Sequence, residues 1–156
     1  MTEGARRAEL DDVPRIAELA RAAREEMAVL RGGPLFVARE ARPEPLEENL
    51  AAELADADHH LLLAGTVDDV VLGYAAVRAE ELRTGNVLGV ITDLYVEPEA
   101  RAVGIGEHLM EAALVWCNEK GASAVDAYAL PGDRSTKNFF EMSGFTARLL
   151  VMHHKL

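Results

Sequence analysis

The segment Arg101-Ala-Val-Gly-Ile-Gly106 is the part of the chain whose residue types and spacing point most directly to chemistry. It follows an apolar run, Val87–Val96, and precedes a helix-like stretch over residues 107–120. Its glycines allow a turn to pass close to a ligand, and the first N–H groups of the following helix have no partner within that helix. Because their partial positive charge attracts anions, the segment predicts a pyrophosphate-binding loop.

Length and charge limit the classes of protein to consider. At 156 residues and 49% hydrophobic composition, the chain suits one domain over residues 1–156. No apolar stretch approaches the roughly 20 residues of a membrane helix, and residues 1–9 lack the apolar core of a signal peptide, so we expect a cytoplasmic protein with no membrane partner. A formal net charge of −11 argues against binding nucleic acid. The same charge would favour a cationic substrate such as an amine, or it would serve only solubility.

Turn residues and hydrophobic spacing divide the chain before the glycine segment into alternating elements. Asp11 and Asp12 can cap a helix that has Pro14 in its first turn. Arg31-Gly-Gly-Pro34 then breaks the pattern, as a flexible lid or as a plain connection between helices. The predicted elements are a strand over 5–10, the capped helix, a weaker helix over about 45–57, strands over 60–67 and 70–79 around Asp68-Asp69, and a strand over 87–96.

The elements after the glycine segment follow the same logic. A strand is predicted over residues 123–130 and a last strand over residues 146–154, which would close the sheet. Between them, Asp133 is placed to cap a short helix that runs to residue 142. The helix behind the glycine segment has an apolar stripe formed by Ile105, Leu109, Ala113 and Trp116.

This order of elements, with the glycine segment after the fourth strand, resembles the GCN5-related N-acetyltransferases (GNAT family). Residues 94–110 match the strand–loop–helix block of that family, and residues 138–145 match its second block. The resemblance covers nearly the whole chain. It implies an α/β fold with a central mixed, mostly antiparallel, splayed β-sheet flanked by helices.

The resemblance also implies acetyl-CoA as the cosubstrate and no metal. Arg101 would contact phosphate or brace the loop, and Asp133 would act first as a helix cap. The pantetheine arm would pair with backbone groups of Leu94, Tyr95 and Val96. The pyrophosphate would be held by the glycine segment, namely Arg101, Ala102, Val103, Gly104, Ile105, Gly106 and Glu107. The far wall of the site would be lined by Asp133, Thr136 and Phe139.

The implied reaction is direct acyl transfer to a primary amine, without a covalent enzyme intermediate. It needs a donor for the oxyanion, a base for the amine and an acid for the departing thiolate. In the family a strand N–H near Tyr95 or Val96 would be the oxyanion donor. The tyrosine that many relatives use as the acid is replaced here by Phe140. Either Tyr95 or Tyr128 could supply a hydroxyl in its place if its side chain points into the cleft, or the CoA thiolate could take its proton from water.

The general base is the least defined part of this site. Relatives that acetylate small polyamines carry an acidic pair on the fourth strand, where this chain has Thr92 and Asp93. Asp93 could accept a proton or anchor a cationic substrate, and a strand-end salt bridge is the structural alternative. Glu81 and Glu80, near the end of the preceding strand, are the next candidates.

Several alternatives stay open at this point. Phe140 and Thr92 suggest a non-catalytic acetyl-CoA-binding regulatory protein of the same fold. The acceptor amine could belong to a small molecule, a protein N-terminus or a lysine, and the chain could form a homodimer. Adjacent histidines on a strand point to opposite faces, so His59-His60 and His153-His154 do not form metal sites. Cys117, beside Trp116 on a helix, is expected to be a buried thiol.

Overall fold

Five strands lie side by side in the order in which they occur along the chain. A computed structural model describes all residues, 1–156. The strands are β1 (Glu3–Arg7), β2 (His60–Val67), β3 (Val70–Glu81), β4 (Val87–Val96) and β5 (Ala122–Ala127). Neighbouring strands are antiparallel, except for β4 and β5, which are parallel. The helices are α1 (Val13–Ala28), α2 (Gly33–Arg39), α3 (Leu46–Ala55), α4 (Ile105–Glu119) and α5 (Arg134–Met142).

Each face of the sheet carries its own hydrophobic core. The apolar stripe of α4, which includes Ile105, Leu109, Ala113 and Trp116, is buried against one face, as its spacing predicts. The opposite face is covered by α1 and α3, whose Ile16, Leu46 and Leu50 are almost fully buried beside Tyr74 of β3. This mixed, mostly antiparallel sheet between helices confirms the predicted fold class. No helix combines the length and the apolar composition needed to cross a membrane.

A β-bulge in β4 changes which face its side chains occupy. Val77 of β3 is opposite Ile91, but the next residue, Ala76, is opposite Asp93, so Thr92 is the extra residue. Strand residues two apart normally share a face, yet Ile91 packs in the α4 core while Asp93 bonds to Tyr74 in the α1 core. The bulge therefore turns Asp93 away from the core that holds Ile91.

The first strand and its following turn differ from the prediction. The strand covers Glu3–Arg7 and not residues 5–10, because the Asp12 carboxylate folds Leu10–Asp12 into a 3₁₀ turn. The Asp12 carboxylate accepts the Glu9 N–H at 2.7 Å and also a hydrogen bond from the Arg6 guanidinium. With Asp12 so engaged, no side chain caps α1, and the predicted Asp11 and Asp12 cap of that helix is wrong.

The segment Arg31-Gly-Gly-Pro34 begins a helix that the sequence did not predict. Gly32 has a φ of +81°, and α2 starts at the next residue with Pro34 in its first turn. A Cβ atom at Gly33 would lie 1.7 Å from the Met27 carbonyl oxygen, so this glycine permits α1 and α2 to meet closely. The strand predicted over 123–130 also ends early, at Ala127.

The predicted last strand, residues 146–154, is wrong. Phe145 still donates its N–H to the Phe140 carbonyl oxygen and packs its ring on Phe140, but no residue after it forms a backbone hydrogen bond. A strand requires a neighbouring edge with which to pair, and this segment pairs with neither outer edge of its own sheet. The prediction identified an extended sequence but not a partner for it.

Candidate active site

A cleft opens where β4 and β5 separate. Their pairing ends at Ile91 and Ala127, whereas β4 continues to pair with β3 as far as Val96 opposite Gly73. Backbone groups of residues 92–96 that face β5 therefore have no partner strand. Leu94, Tyr95 and Val96, predicted from the resemblance to pair with the pantetheine arm, lie along this open edge.

The glycine segment lies between the end of β4 and the start of α4. Gly104 has a φ of +87° and directly precedes α4, whose first residue is Ile105. The N–H groups of Gly104, Ile105, Gly106 and Glu107 donate to no atom of the protein. Free N–H groups at the start of a helix attract an anion, so this geometry fits the predicted phosphate loop.

Arg101 braces this loop through its side chain. Its Nε donates to the Val96 carbonyl oxygen at 2.8 Å and its Nη2 to a Glu26 carboxylate oxygen of α1 at 2.8 Å. The guanidinium carbon also lies 5.4 Å from the centroid of the Tyr95 ring. Arg101 was expected either to contact phosphate or to brace the loop, and these contacts brace the loop. The Arg101 side chain is nevertheless 47% exposed.

The Tyr95 side chain faces α1. Its hydroxyl donates to the Glu26 carboxylate. Burial, followed by this bond and the charge of Glu26, raises the pKa of Tyr95 to about 12. The hydroxyl therefore keeps its proton at neutral pH.

The far side of the loop is formed by the start of α5. Asp133 caps this helix as predicted: its Oδ1 accepts the Thr136 N–H at 3.1 Å and its Oδ2 the Thr136 hydroxyl at 2.6 Å. Phe139 packs close to the loop, because a Cβ atom at Gly106 would lie 3.3 Å from its ring. Asp133, Thr136 and Phe139 thus lie on the same helix opposite the glycine loop.

Asp93 is held by two donors on the α1 face of the sheet. The buried Tyr74 hydroxyl donates to its Oδ2 at 2.7 Å, and the Arg42 guanidinium donates to its Oδ1 at 3.1 Å. Arg42 also contacts Glu53 of α3, and all three charged side chains are mostly buried, with exposures of 10% for Arg42, 18% for Glu53 and 15% for Asp93. The Arg42 Nε has no hydrogen-bond partner.

A polar cavity of about 390 Å³ lies beside this cluster. It adjoins β4 at Thr92 and Asp93, the same strand that borders the cleft. None of the lining residues is hydrophobic; they are Glu40, Arg42, Pro43, Asn49, Glu53, His60, Arg78, Thr92 and Asp93.

Other predicted residues lie elsewhere. Glu81 is opposite Val87 at the far end of β4, and Glu80 is opposite Leu88, so the structure does not bring them to the cleft. Phe140 is buried between Phe139 and Phe145. Tyr128 follows β5 with its side chain 47% exposed and edge-on to Phe36.

Two remaining residue types do not form part of the site. Cys117 is buried, as predicted, and burial raises the pKa of its thiol to about 11. The His59 and His60 rings bond to Asp56 at the start of β2. No group of three or more His, Cys, Asp or Glu side chains converges as metal ligands would.

Three residues of the site were missed by the sequence analysis. Tyr74 reaches Asp93 from the neighbouring strand, Arg42 from the connection before α3, and Glu26 reaches Tyr95 from α1. They are separated from their partners by 19, 51 and 69 positions, so no local spacing points to them. Only the register of β3 against β4 could have identified Tyr74.

Solved structures of similar shape include that of an acetyltransferase. A tetramutant of the BH1408 protein from Bacillus halodurans aligns over 97% of this chain and 99% of its own, with a TM-score of 0.82 and 21% identity. An aminoglycoside acetyltransferase from an uncultured soil metagenomic sample, solved with sisomicin, aligns over 99% and 95%, with a TM-score of 0.71 and 21% identity. AAC(6')-Iy with the bisubstrate analogue CoA-S-monomethyl-acetylneamine aligns over 100% and 99%, with a TM-score of 0.75 and 16% identity. These likenesses show the fold.

Sequence similarity supports the same assignment. Aminoglycoside N(6')-acetyltransferase type 1 of Stenotrophomonas maltophilia is 32% identical over 82 residues, which are 50% of this chain and 53% of that protein. The match therefore spans about half of the relative's length. The sequence model of the acetyltransferase (GNAT) family matches residues 17–145, which include the strands β2 to β5 and the glycine loop. The chain belongs to the GNAT acetyltransferase family.

Proposed function

We propose that the protein is an acyl-CoA-dependent N-acyltransferase that transfers acetyl from acetyl-CoA to a primary amine of a small molecule. The observation that carries this proposal is that an open strand edge is followed by a set of free helix N–H groups; among the edge groups, the Val96 carbonyl oxygen already accepts from Arg101. The open edge of β4, residues 92–96, leads to the free N–H groups of residues 104–107. An extended amide-bearing arm with a pyrophosphate at its end is complementary to both.

The residues present fit acetyl-CoA by their chemistry. Backbone groups of Leu94, Tyr95 and Val96 would hold the pantetheine amides, and the N–H groups from Gly104 to Glu107 would hold the pyrophosphate. The bound cosubstrate supplies a thioester carbonyl as the acyl donor. Ala102, Val103 and Ile105 shape the loop, and Asp133, Thr136 and Phe139 form its far wall.

The acceptor amine is assigned to the polar cavity beside Asp93. Its charged lining includes three carboxylates and two guanidinium groups, which leaves one negative charge in excess. A cationic amine would be attracted both by this excess and by the net charge of −11. The relative named for acetylation of an aminoglycoside amine supports a polar acceptor with several amino groups.

Asp93 and Tyr95 receive different roles in this proposal. Asp93 is assigned the anchoring role, because Tyr74 and Arg42 hold its carboxylate in place beside the cavity, where it can accept a hydrogen bond from an ammonium group. The amine would then lose its proton to water in the cavity and attack the thioester carbonyl, and the departing CoA thiolate would take its proton from water. A backbone N–H near Tyr95 or Val96 would donate to the oxyanion, while the Tyr95 side chain positions that strand against α1.

Cosubstrate binding is tested with a pair of glycine variants. Gly104→Val places a branched side chain in the loop at a φ of +87°, and Gly85→Val does so at the same φ in the β3–β4 turn, away from the cleft. Both should lose similar stability through backbone strain. Calorimetry should show that only Gly104→Val loses CoA binding. Equal CoA affinity in both variants would refute the proposed role of the loop in cosubstrate binding.

Catalysis is tested by release of free CoA thiol from acetyl-CoA across a panel of small amines, peptides and lysine-bearing proteins. We expect amine-dependent release with small polyamines. Release of CoA thiol with protein amines alone would show that the acceptor is a protein and not a small molecule. CoA binding without release for any amine would favour the non-catalytic alternative suggested by Phe140 and Thr92.

A further inference from the structure

The polar cavity beside Asp93 has a carboxylate at one end and a guanidinium at the other. Asp93 of β4 is opposite Ala76 of β3, and Arg78 lies two residues further along β3. Strand residues two apart share a face and lie about 7 Å from each other. His60 of β2 is opposite Arg78 and lines the same end of the cavity. Asp93 and Arg78 form no salt bridge with each other, so they are separate ends of one cavity.

The carboxylates of the cavity lining already have arginine partners. Arg42 contacts both Asp93 and Glu53, and Arg39 donates to Glu40 at 3.1 Å. None of these carboxylates pairs with the second guanidinium of the lining. That guanidinium therefore lies outside the buried ion cluster.

Arg78, which carries this second guanidinium, has an unused pair of donors. Its Nη1 donates to Glu80 at 3.1 Å, whereas its Nε and Nη2 donate to no atom of the protein. These two N–H groups lie on one edge of the guanidinium and form a fork that fits the two oxygens of a carboxylate. The side chain is 36% exposed, so a molecule in the cavity can reach this edge.

Two other arginines of the chain hold carboxylates with the same edge. Arg21 donates from its Nε and Nη2 to the two carboxylate oxygens of Glu44, at 3.1 and 3.0 Å. Arg148 binds Asp126 through the same pair of nitrogens. Arg78 offers an equivalent donor pair, and no carboxylate of the chain takes it.

We propose that the acceptor molecule carries a carboxylate in addition to its reacting amine. Asp93 anchors the ammonium group, and the Nε–Nη2 edge of Arg78 holds the carboxylate. This inference rests on the proposed function and narrows the small-molecule amine to an amino acid whose charged groups are about 7 Å apart. Such a molecule has no net charge, so the net charge of −11 does not repel it. A diamine would place its second ammonium group beside the Arg78 guanidinium and is therefore the poorer acceptor.

The test compares three acceptors of similar length by their release of free CoA thiol from acetyl-CoA. Pentylamine, 1,5-diaminopentane and 6-aminohexanoate share a primary amine and differ in the far end, which is neutral, cationic or anionic. We expect kcat/KM for 6-aminohexanoate to exceed that for 1,5-diaminopentane by about tenfold or more, because only the carboxylate forms a charge-assisted pair of hydrogen bonds. Equal values, or a preference for the diamine, overturn the proposal.

Variants of Arg78 test whether this residue sets the preference. Arg78→Gln removes the charged fork and should abolish the preference for 6-aminohexanoate, and Arg78→Glu should reverse it in favour of the diamine. Arg83→Gln removes the same charge from an exposed position in the β3–β4 turn and should keep the parent preference. A preference that survives in Arg78→Gln refutes the carboxylate site.

Binding measurements distinguish a failure of this inference from a failure of the proposed function. If no amine releases CoA thiol, acyl transfer fails, but calorimetry with CoA-saturated protein still compares the three molecules. The parent protein should bind 6-aminohexanoate about tenfold more tightly than 1,5-diaminopentane, and Arg78→Gln should lose this difference. The same difference in both proteins, or none in the parent, would refute the carboxylate site even if amines are acetylated.

Discussion

Tyr74 and Asp93 lie on adjacent strands and share a hydrogen bond of 2.7 Å, in which the buried hydroxyl donates to the carboxylate. Burial first, and then the charge of Asp93, raises the pKa of Tyr74 well above its ordinary value. The phenol is thus a permanent donor. Because Arg42 serves the other carboxylate oxygen, each oxygen of Asp93 has its own donor.

Asp93→Asn should separate an anchoring carboxylate from a general base. The substitution keeps size and removes charge, so an anchor predicts a raised KM for a cationic amine with kcat largely kept. A base predicts instead a lower kcat that recovers as rising pH supplies more neutral amine. Steady-state kinetics over a pH series measure both.

Asp12→Asn is the matched control for this variant. Asp12 also pairs with an arginine, Arg6, but it lies in the turn before α1. The Asp12→Asn substitution removes the same charge from the protein, but KM and kcat should both stay near the parent values. Identical kinetics in Asp93→Asn and the parent would leave Asp93 without either role.

Arg42→Met should destabilise the fold by about 3 kcal/mol or more, because it leaves Glu53 and Asp93 mostly buried without their countercharge. Denaturant unfolding measures this loss. Arg39→Met removes an arginine that is 74% exposed and pairs only with Glu40, and should change stability by about 0.5 kcal/mol or less. Similar losses in the two variants would contradict a buried ion cluster.

Glu26→Gln should lower the pKa of Tyr95 from about 12, since the carboxylate charge is one of its causes. Burial is the larger cause and persists, so the pKa should stay above 10.0. Tyrosinate absorbance during alkaline titration measures it. Glu25→Gln, at an exposed neighbouring position, should leave the titration unchanged.

The same pKa shift predicts how stability depends on pH. A folded-state pKa raised from 10.0 to about 12 means that the contribution of Tyr95 is complete below pH 10 and is lost as pH rises through 12. Glu26→Gln reduces the difference between the folded and unfolded pKa values of Tyr95. The unfolding free energy of this variant should therefore fall less between pH 10 and pH 12 than that of the parent protein. An equally steep fall in parent and variant would show that Glu26 does not set this pKa.

Asp133→Ala should cost about 1 kcal/mol of stability, because Thr136 loses the acceptor of its N–H at the start of α5. Asp133→Asn keeps an acceptor oxygen and should lose much less. Thermal unfolding compares the two. Equal losses would mean that charge, and not the cap, is what Asp133 contributes.

Local patterns predicted most of the fold. The strands His60–Val67 and Val87–Val96 have the predicted bounds, and the stripe on α4 has the predicted burial. Periodicity succeeds for α4 because this helix buries one face against the sheet, whereas β2 is recognised as a continuous apolar run because both of its faces are covered. The last strand failed for the opposite reason: its sequence has strand character, but pairing depends on an edge that no local pattern reveals.

The candidate site was predictable only where it is continuous in sequence. The glycine loop and the Asp133 cap each lie within a few residues, and their free or paired N–H groups follow from local geometry. The surroundings of Asp93 depend on the bulge at Thr92, which reverses the face that simple alternation assigns to Asp93. Neither Tyr74 nor Arg42 could therefore be foreseen as its partners.

Arg101 ties the glycine loop to two elements: the end of β4, through the Val96 carbonyl and the Tyr95 ring, and helix α1, which is distant in sequence, through Glu26. The turn is thereby fixed while the chain folds, and its conformational entropy is lost before any ligand arrives. Folding and ligand recognition thus share one ordering step. A substitution that loosens α1 from β4 would therefore weaken the proposed anion binding without touching any atom of the ligand.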